Sequence, residues 1–193
     1  MHLAPVRVAP PETQPVSVAE LKTHLRIDSA ESDAELTMVI ASAISRVDGW
    51  SGTLGRCLIR QVWRQDYSCF PACDRIVLPF PSVTATEVKY SDTSNAEQTL
   101  SASDYSLHET AAGTVLVLAG AASWPSVYDR ADAVRIAMTV GYGLNADDVP
   151  AQIRWAIMML AADLWRNREA GSASDDATAY ADRITHPFRR TTF

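Results

Sequence analysis

Apolar and polar positions change their period along this chain, and each change marks an element. Residues 1–16 hold four prolines and little periodicity, which predicts an extended arm. Ser17-Val18-Ala19-Glu20 then matches a capping box, with Leu21 and Leu25 at helical spacing, so a short helix is expected to about Arg26. A second capping box, Ser32-Asp33-Ala34-Glu35, precedes Leu36, Ile40, Ala43, Val47 and Trp50. These step by four and three residues and form one apolar stripe of an amphipathic helix. Gly49 and Gly52 are its candidate stops.

From about Ile59 to Tyr142 the period becomes two. Trp63, Gln65 and Tyr67 share one face of a strand, as do Thr86, Val88 and Tyr90, with Glu87 and Lys89 pointing the other way. Val115 to Leu118 reads as a buried strand after Gly113, and Val134, Ile136, Met138 and Val140 alternate with Arg135, Ala137 and Thr139. Ser91-Asp92-Thr93-Ser94-Asn95 is a turn cluster. Short strands between Pro, Gly and Ser clusters predict an antiparallel sheet or a small sandwich.

Helical spacing returns after Gly141-Tyr142-Gly143. Asp147 and Asp148 suit the start of a helix, Pro150 suits its first turn, and the helix should run to about Arg168. Two stripes run along it. Ile153, Ile157, Leu160 and Leu164 form one; Trp155, Met158, Ala162 and Trp165 form the other, on nearly the opposite side. Two opposed apolar faces mean burial on two sides. The second stripe either packs under the sheet or meets another subunit, where Trp and Met are enriched. Gly171 to Ser174 reads as a flexible break, and Asp175 as the cap of a short helix through Ile184. Residues 185–193 are basic and contain no acid.

The fold class expected is therefore α+β: a helical frame of two N-terminal helices, one long and one short C-terminal helix, with an inserted antiparallel β-sheet or small sandwich. The boundaries are an arm at 1–16, a helical part at 17–57, the β insertion at 58–143, a second helical part at 144–184 and a tail at 185–193.

Composition narrows the function. Hydrophobic residues make up 47% and charged residues 21% of 193, a globular balance with enough chain for a core. The net charge of −6 argues against general nucleic-acid binding, which needs a basic surface. The first residues lack the pattern of a signal peptide, and no apolar run approaches the roughly 18 residues of a membrane span, so no membrane partner is expected.

Candidate chemistry fails at each motif. Cys69 and Cys73 have metal-like spacing, but no second ligand pair completes a site, so Cys57, Cys69 and Cys73 read as free thiols. His108-Glu109 opens like a metalloprotease helix, yet Ala112 stands where the second histidine belongs. Gly49-Trp50-Ser51-Gly52 is one residue short of a nucleophile elbow and follows a helix instead of a strand. The pairs Asp147-Asp148 and Asp175-Asp176 are better explained by helix capping than by catalysis. No catalytic residue, metal or cofactor is expected.

Across residues 15–170 the chain resembles head–tail connector, or adaptor, proteins of tailed phages and gene transfer agents. The resemblance is carried by Pro15-Val16-Ser17 leading to Leu21-Lys22-Thr23-His24-Leu25-Arg26-Ile27, and by Ala41 to Val47 with Gly52, Gly55 and Arg56. Trp63, Leu78-Pro79-Phe80-Pro81, Val88, Tyr90 and Trp124-Pro125 continue it through the strands. Val134-Arg135-Ile136, Thr139 to Gly143, Val149-Pro150, Ile153-Arg154, Ala156-Ile157 and Asn167-Arg168-Glu169 complete it. The proline-rich arm and the C-terminal region depart from the common pattern.

The resemblance implies a non-enzymatic structural protein of a phage-like particle, assembled in a bacterial cytoplasm. It implies a ring, commonly of twelve copies, beneath the portal protein. Such a ring extends the DNA channel without reading sequence and offers a platform to a stopper or other tail-side protein. A different particle subunit, such as a stopper or tail terminator, is the alternative, followed by a stand-alone binding domain. In a ring, Trp155, Met158 and Trp165 become the candidate inter-protomer contact. Phe188, Arg189, Arg190 and Phe193 become either a disordered terminus or a portal-docking arm, as the resemblance to other adaptors' C-terminal ends implies.

Overall fold

Ser17 begins the first helix as its spacing predicts. Its hydroxyl accepts from the Glu20 N–H at 3.2 Å, and the Glu20 carboxylate accepts from the Ser17 N–H at 2.8 Å. Helix α1 spans Val18–Leu25 and ends where Arg26 turns left-handed, at φ 58°. Helix α2 spans Asp33–Val47. Here the predicted capping box is absent. Ser32 sits at φ −95° and ψ 1°, not in the extended conformation that turns a cap hydroxyl back onto the helix, and its side chain makes no cap bond.

The α2 stripe is otherwise as read, with Leu36, Ile40, Ala43 and Val47 all buried. Trp50 does not join it. Asp48 is extended, the helical period ends there, and Trp50 lies 43% exposed. Gly52 is required by close packing at this exit, because a Cβ there would lie 2.4 Å from the Asp48 carbonyl oxygen.

A computed structural model describes residues 2–29, 32–110, 113–120, 122–167 and 174–190. Its described residues fall into two units, one helical (within 12–59 and 142–189) and one of strands (within 1–11, 60–141 and 190–193).

Helix α3 of the helical unit spans Ala151–Arg166 and starts later than predicted. Pro150 is its N-cap residue instead of lying in its first turn, and Asp147 and Asp148 belong to a separate 3-10 turn, Ala146–Asp148. Helix α4 spans Asp175–Thr185 and is capped by Ser174, whose hydroxyl accepts from the Ala177 N–H at 3.2 Å; Asp175 is already inside the helix. The expected break at 171–173 and Arg168 lie outside the described residues. Leu21, Leu36, Ile40, Leu58, Ile153, Ile157 and Leu160 are the centre of this unit's core.

The strands are β1 (Val6–Ala9), β2 (Gln61–Tyr67), β3 (Arg75–Val77), β4 (Val83–Ser91), β5 (Glu97–Thr99), β6 (Tyr105–Thr110), β7 (Gly113–Leu118) and β8 (Val134–Val140). They form a five-stranded sheet, β1-β2-β8-β4-β5, and a three-stranded sheet, β3-β7-β6, with every pair antiparallel. The N-terminal arm thus supplies the edge strand β1. Along β8, Val134, Ile136, Met138 and Val140 are all buried and the residues between them half-buried, as the period of two predicts.

Trp63 packs its ring 4.9 Å from that of Phe80. Its indole N–H donates to the Gln61 side-chain oxygen at 3.1 Å, and the Tyr67 hydroxyl donates to that of Gln65 at 2.7 Å. These bonds let two glutamines sit in a buried face. The two sheets are tied by the Tyr105 hydroxyl on the Thr86 carbonyl at 3.0 Å and by the Val83 N–H on the Thr114 hydroxyl at 3.1 Å.

Candidate interaction surface

Helix α3 is held in the helical unit by an ionic clamp as well as by its core stripe. The Arg154 guanidinium donates through Nε to the Pro15 carbonyl at 3.0 Å, through one Nη to Asp147 at 2.8 Å, and through the other to the Glu20 carboxylate. Glu20 therefore serves both its own helix start and α3. The Ser17 N–H, the Ser17 hydroxyl and Arg154 together hold its carboxyl below the ordinary value of 4.5, against a smaller opposing effect of burial. Ahead of α3, the Asp148 carboxylate accepts from the Asn145 N–H at 2.8 Å. Gly143 accommodates that carboxylate, since a Cβ would lie 2.2 Å from its oxygen.

Packing divides the second α3 stripe. Ala162 is buried; Met158 and Trp165 are half-buried against the helical core. Trp155 is different. Its ring is 41% exposed and meets the His24 ring edge-on at 5.3 Å. At about 100° per residue, Met159 and Gln152 both lie to one side of it, within about 60°, Met159 half-buried and Gln152 exposed. Sequence reading placed Met159 on neither stripe, because it lies between them.

The C-terminal candidates are anchored through Arg190. Phe188 is half-buried against the helical core in a 3-10 turn, His186–Phe188, that directly follows α4. The Arg189 Nε donates to the Thr53 carbonyl at 2.8 Å. Within the strand unit, Arg190 donates to the carbonyls of Pro79 and Leu78, and burial holds its guanidinium below its ordinary value. Phe193 lies outside the described residues. Asp182, Arg183, His186, Pro187 and Arg189 line an open hollow of about 440 Å³, with three basic side chains against one acid.

Cys57 is a buried free thiol, and Cys69 and Cys73 are exposed ones. Among the described residues no group of three or more His, Cys, Asp or Glu side chains could hold a metal ion, and no helix is long and apolar enough to cross a membrane. Among the described residues, the exposed Trp155 indole and the hollow beside Arg183 and Arg189 are the candidate contact points on these segments.

A family model described as "Head completion protein" matches residues 15–179. No curated protein gives a significant match. Among solved structures, the fold matches a chain in the neck of an empty gene transfer agent (GTA) particle computed with C6 symmetry, at 22% identity and a TM-score of 0.78, covering 99% of this chain and 97% of that one. A chain in the virion of a native GTA particle matches with the same identity, TM-score and coverage. A chain in the neck of a native GTA particle computed with C12 symmetry matches at 20% identity and a TM-score of 0.75, over 99% and 97% of the two chains. The family match takes in α1 to α3 and all the strands from β2 to β8, so the clamp at Arg154 and the wedge at Trp155 lie inside it. The chain belongs to the head completion protein family, a family of structural particle proteins and not a class of enzymes.

Proposed function

We propose that this chain is an adaptor protomer that closes into a ring, of twelve copies, beneath the portal of a phage-like particle. The ring extends the DNA channel and gives a stopper or other tail-side protein its platform. The observation that carries this reading is the family match over residues 15–179, joined to a fold shared end to end with neck chains of GTA particles. The net charge of −6 suits a channel wall along which DNA slides without sticking.

A closed ring needs two unlike patches on each copy. Trp155, Met158 and Trp165 belong to one of them in this reading. Trp155 makes the contact, and Met158 and Trp165 hold its helix to the core from below. Portal docking falls to the C-terminal segment: Arg189 beside the cationic hollow, Phe188 and Arg190 as its anchors, and Phe193 beyond them. Many such segments around one ring would bind together through high effective concentration.

The test is co-sedimentation with portal-containing, DNA-filled heads. Truncation from Thr185 is the wrong variant, because Thr185 is only 2% exposed and Phe188 packs on the core. Arg183→Glu with Arg189→Glu leaves the core intact and should reduce attachment at least tenfold. Heads made without this chain should be full and tailless. Normal tails on such heads would overturn the adaptor reading, and normal attachment of the double variant would overturn the docking assignment.

A further inference from the structure

Helix α4 ends with its charged side chains turned one way. At about 100° per residue, Asp182, Arg183 and His186 lie on the side away from Ala181 and Thr185, both only 2% exposed. The Thr185 hydroxyl donates back to the Ala181 carbonyl at 2.7 Å. The 3-10 turn that follows closes with the Arg189 N–H on the His186 carbonyl at 3.1 Å. Arg189 is thereby set beside Arg183 and His186 around the hollow of about 440 Å³.

These basic groups differ from most others in the chain. Lys22, Arg64, Arg130, Arg135 and Arg154 each reach a carboxylate at 2.6–2.8 Å. Arg183, His186 and Arg189 pair with none among the described residues, in a chain that holds 23 acids against 17 Lys and Arg. Even Asp182, in the wall of the same hollow, makes no ion pair with them. The helix dipole favours a cation in the last turn of α4, but it does not account for Arg189, which stands beyond the helix.

Both arginines are also held by contacts that leave their charged ends free to bind. Arg183 lies over the Tyr180 ring at 5.3 Å, a contact that uses none of its N–H groups. Arg189 is fixed through Nε on the Thr53 carbonyl, and neither of its Nη groups donates to a described residue. Those two groups form a planar fork that matches the two oxygens of a carboxylate.

We infer that this hollow receives an Asp or Glu side chain of the portal protein, gripped by Arg189 and Arg183. The inference rests on the reading of the C-terminal segment as the portal-docking arm, and names the chemistry that the arm recognises. Charge and size select the occupant. The hollow falls in the size range of sites that enclose small groups, about 300–1,000 Å³, and does not offer the extended basic surface that a DNA backbone needs. Asp182 in its wall and the net charge of −6 both oppose a polyanion. A single carboxylate on a neighbouring protein meets the free cations without either cost.

The experiment uses the fact that a water-soluble carbodiimide joins a carboxylate to an amine, with loss of water, but does not join it to a guanidinium. Arg183→Lys and Arg189→Lys are introduced together, the chain is bound to portal-containing heads, and the treated heads are digested for mass spectrometry. The chain's own lysines, Lys22 and Lys89, already face its own carboxylates, so the wild-type chain is the control. The expected result is an amide between an introduced amine and an acidic residue of the portal, absent from the wild type. Arg189→Lys alone replaces the double variant if that one does not attach. A second measurement uses the isolated chain: a fluorescent hexaglutamate peptide should bind Arg183→Glu/Arg189→Glu at least about tenfold more weakly than wild type, and a short DNA duplex should not distinguish the two.

Attached variant with no link, or with a link to Asp182 alone, would overturn the carboxylate and leave the docking reading standing. A link to an acid of a second copy of this chain would make the hollow a ring contact, and loss of duplex binding in the Glu variant would make phosphate its ligand; both overturn the inference. Heads that bind no wild-type chain would overturn the docking reading itself.

Discussion

The solvent side of the five-stranded sheet is covered with ions. Arg135 reaches Glu97 at 2.8 Å, and Lys89 lies between Glu97 at 3.8 Å and Glu87 at 3.6 Å. The solvent side of α2 sets Met38, Ala41 and Ser45 opposite the core with exposed Glu35 and Arg46 beside them, and its Met38 is the most exposed large apolar side chain among the described residues. Both surfaces face water. The first pairs its charges with one another; the second carries hydroxyls and methyl groups around one methionine. Exposure alone therefore does not mark a contact surface.

Substitutions beneath and on the two faces should differ in size. The largest effect should come from below the faces. Ile157→Ala in the helical core should lower unfolding stability by about 2–5 kcal/mol in chemical denaturation, because the cavity cannot be refilled by its close-packed neighbours. Gly52→Ala should cost about 1–3 kcal/mol by the same measurement, since its new methyl group meets the backbone of the α2 exit.

Ser17→Ala should cost about 1 kcal/mol through loss of the α1 cap. Glu20 sharpens that prediction through pH. Its carboxyl is depressed in the folded protein, so its contribution is fully present above the ordinary value of 4.5 and is lost as pH falls through the lower folded value. Glu20→Gln should therefore flatten the acid limb of the stability profile below about pH 4.5.

The smallest effects should come from the faces themselves. Glu97→Gln should cost less than about 1 kcal/mol, and the difference should shrink in high salt. Met38→Ser should change monomer stability by no more than about 0.5 kcal/mol. A large loss from Met38→Ser would mean that α2's outer face is part of the fold and not open to a partner.

How far the sequence spoke depended on whether a signal was local. The Ser17 box, the α2 stripe and the β8 alternation were legible because periodicity and capping are properties of neighbouring residues. The second box failed because Ser32 matches the pattern but not the backbone conformation. Strand β1 was read as part of an arm because four residues between prolines carry little period, and only the pairing with β2 makes them a strand. The Trp155 stripe was legible as apolar, but which of its members the core would cover depends on packing within the helical unit. The Phe188 anchor was hidden for a related reason: a short basic tail looks solvated until the surface beneath it is known.

Arg154 also bears on how the protein carries force. One planar cation fastens Pro15, Glu20 and Asp147, two of them more than 130 residues away in sequence, around the start of α3. A pull on the segment before α1 is thereby shared with the longest helix instead of being taken up by stretching a loop. A lysine there would bring three rotatable donors on one nitrogen instead of a planar fork, so it could not meet all three points in fixed directions and the joint would be looser.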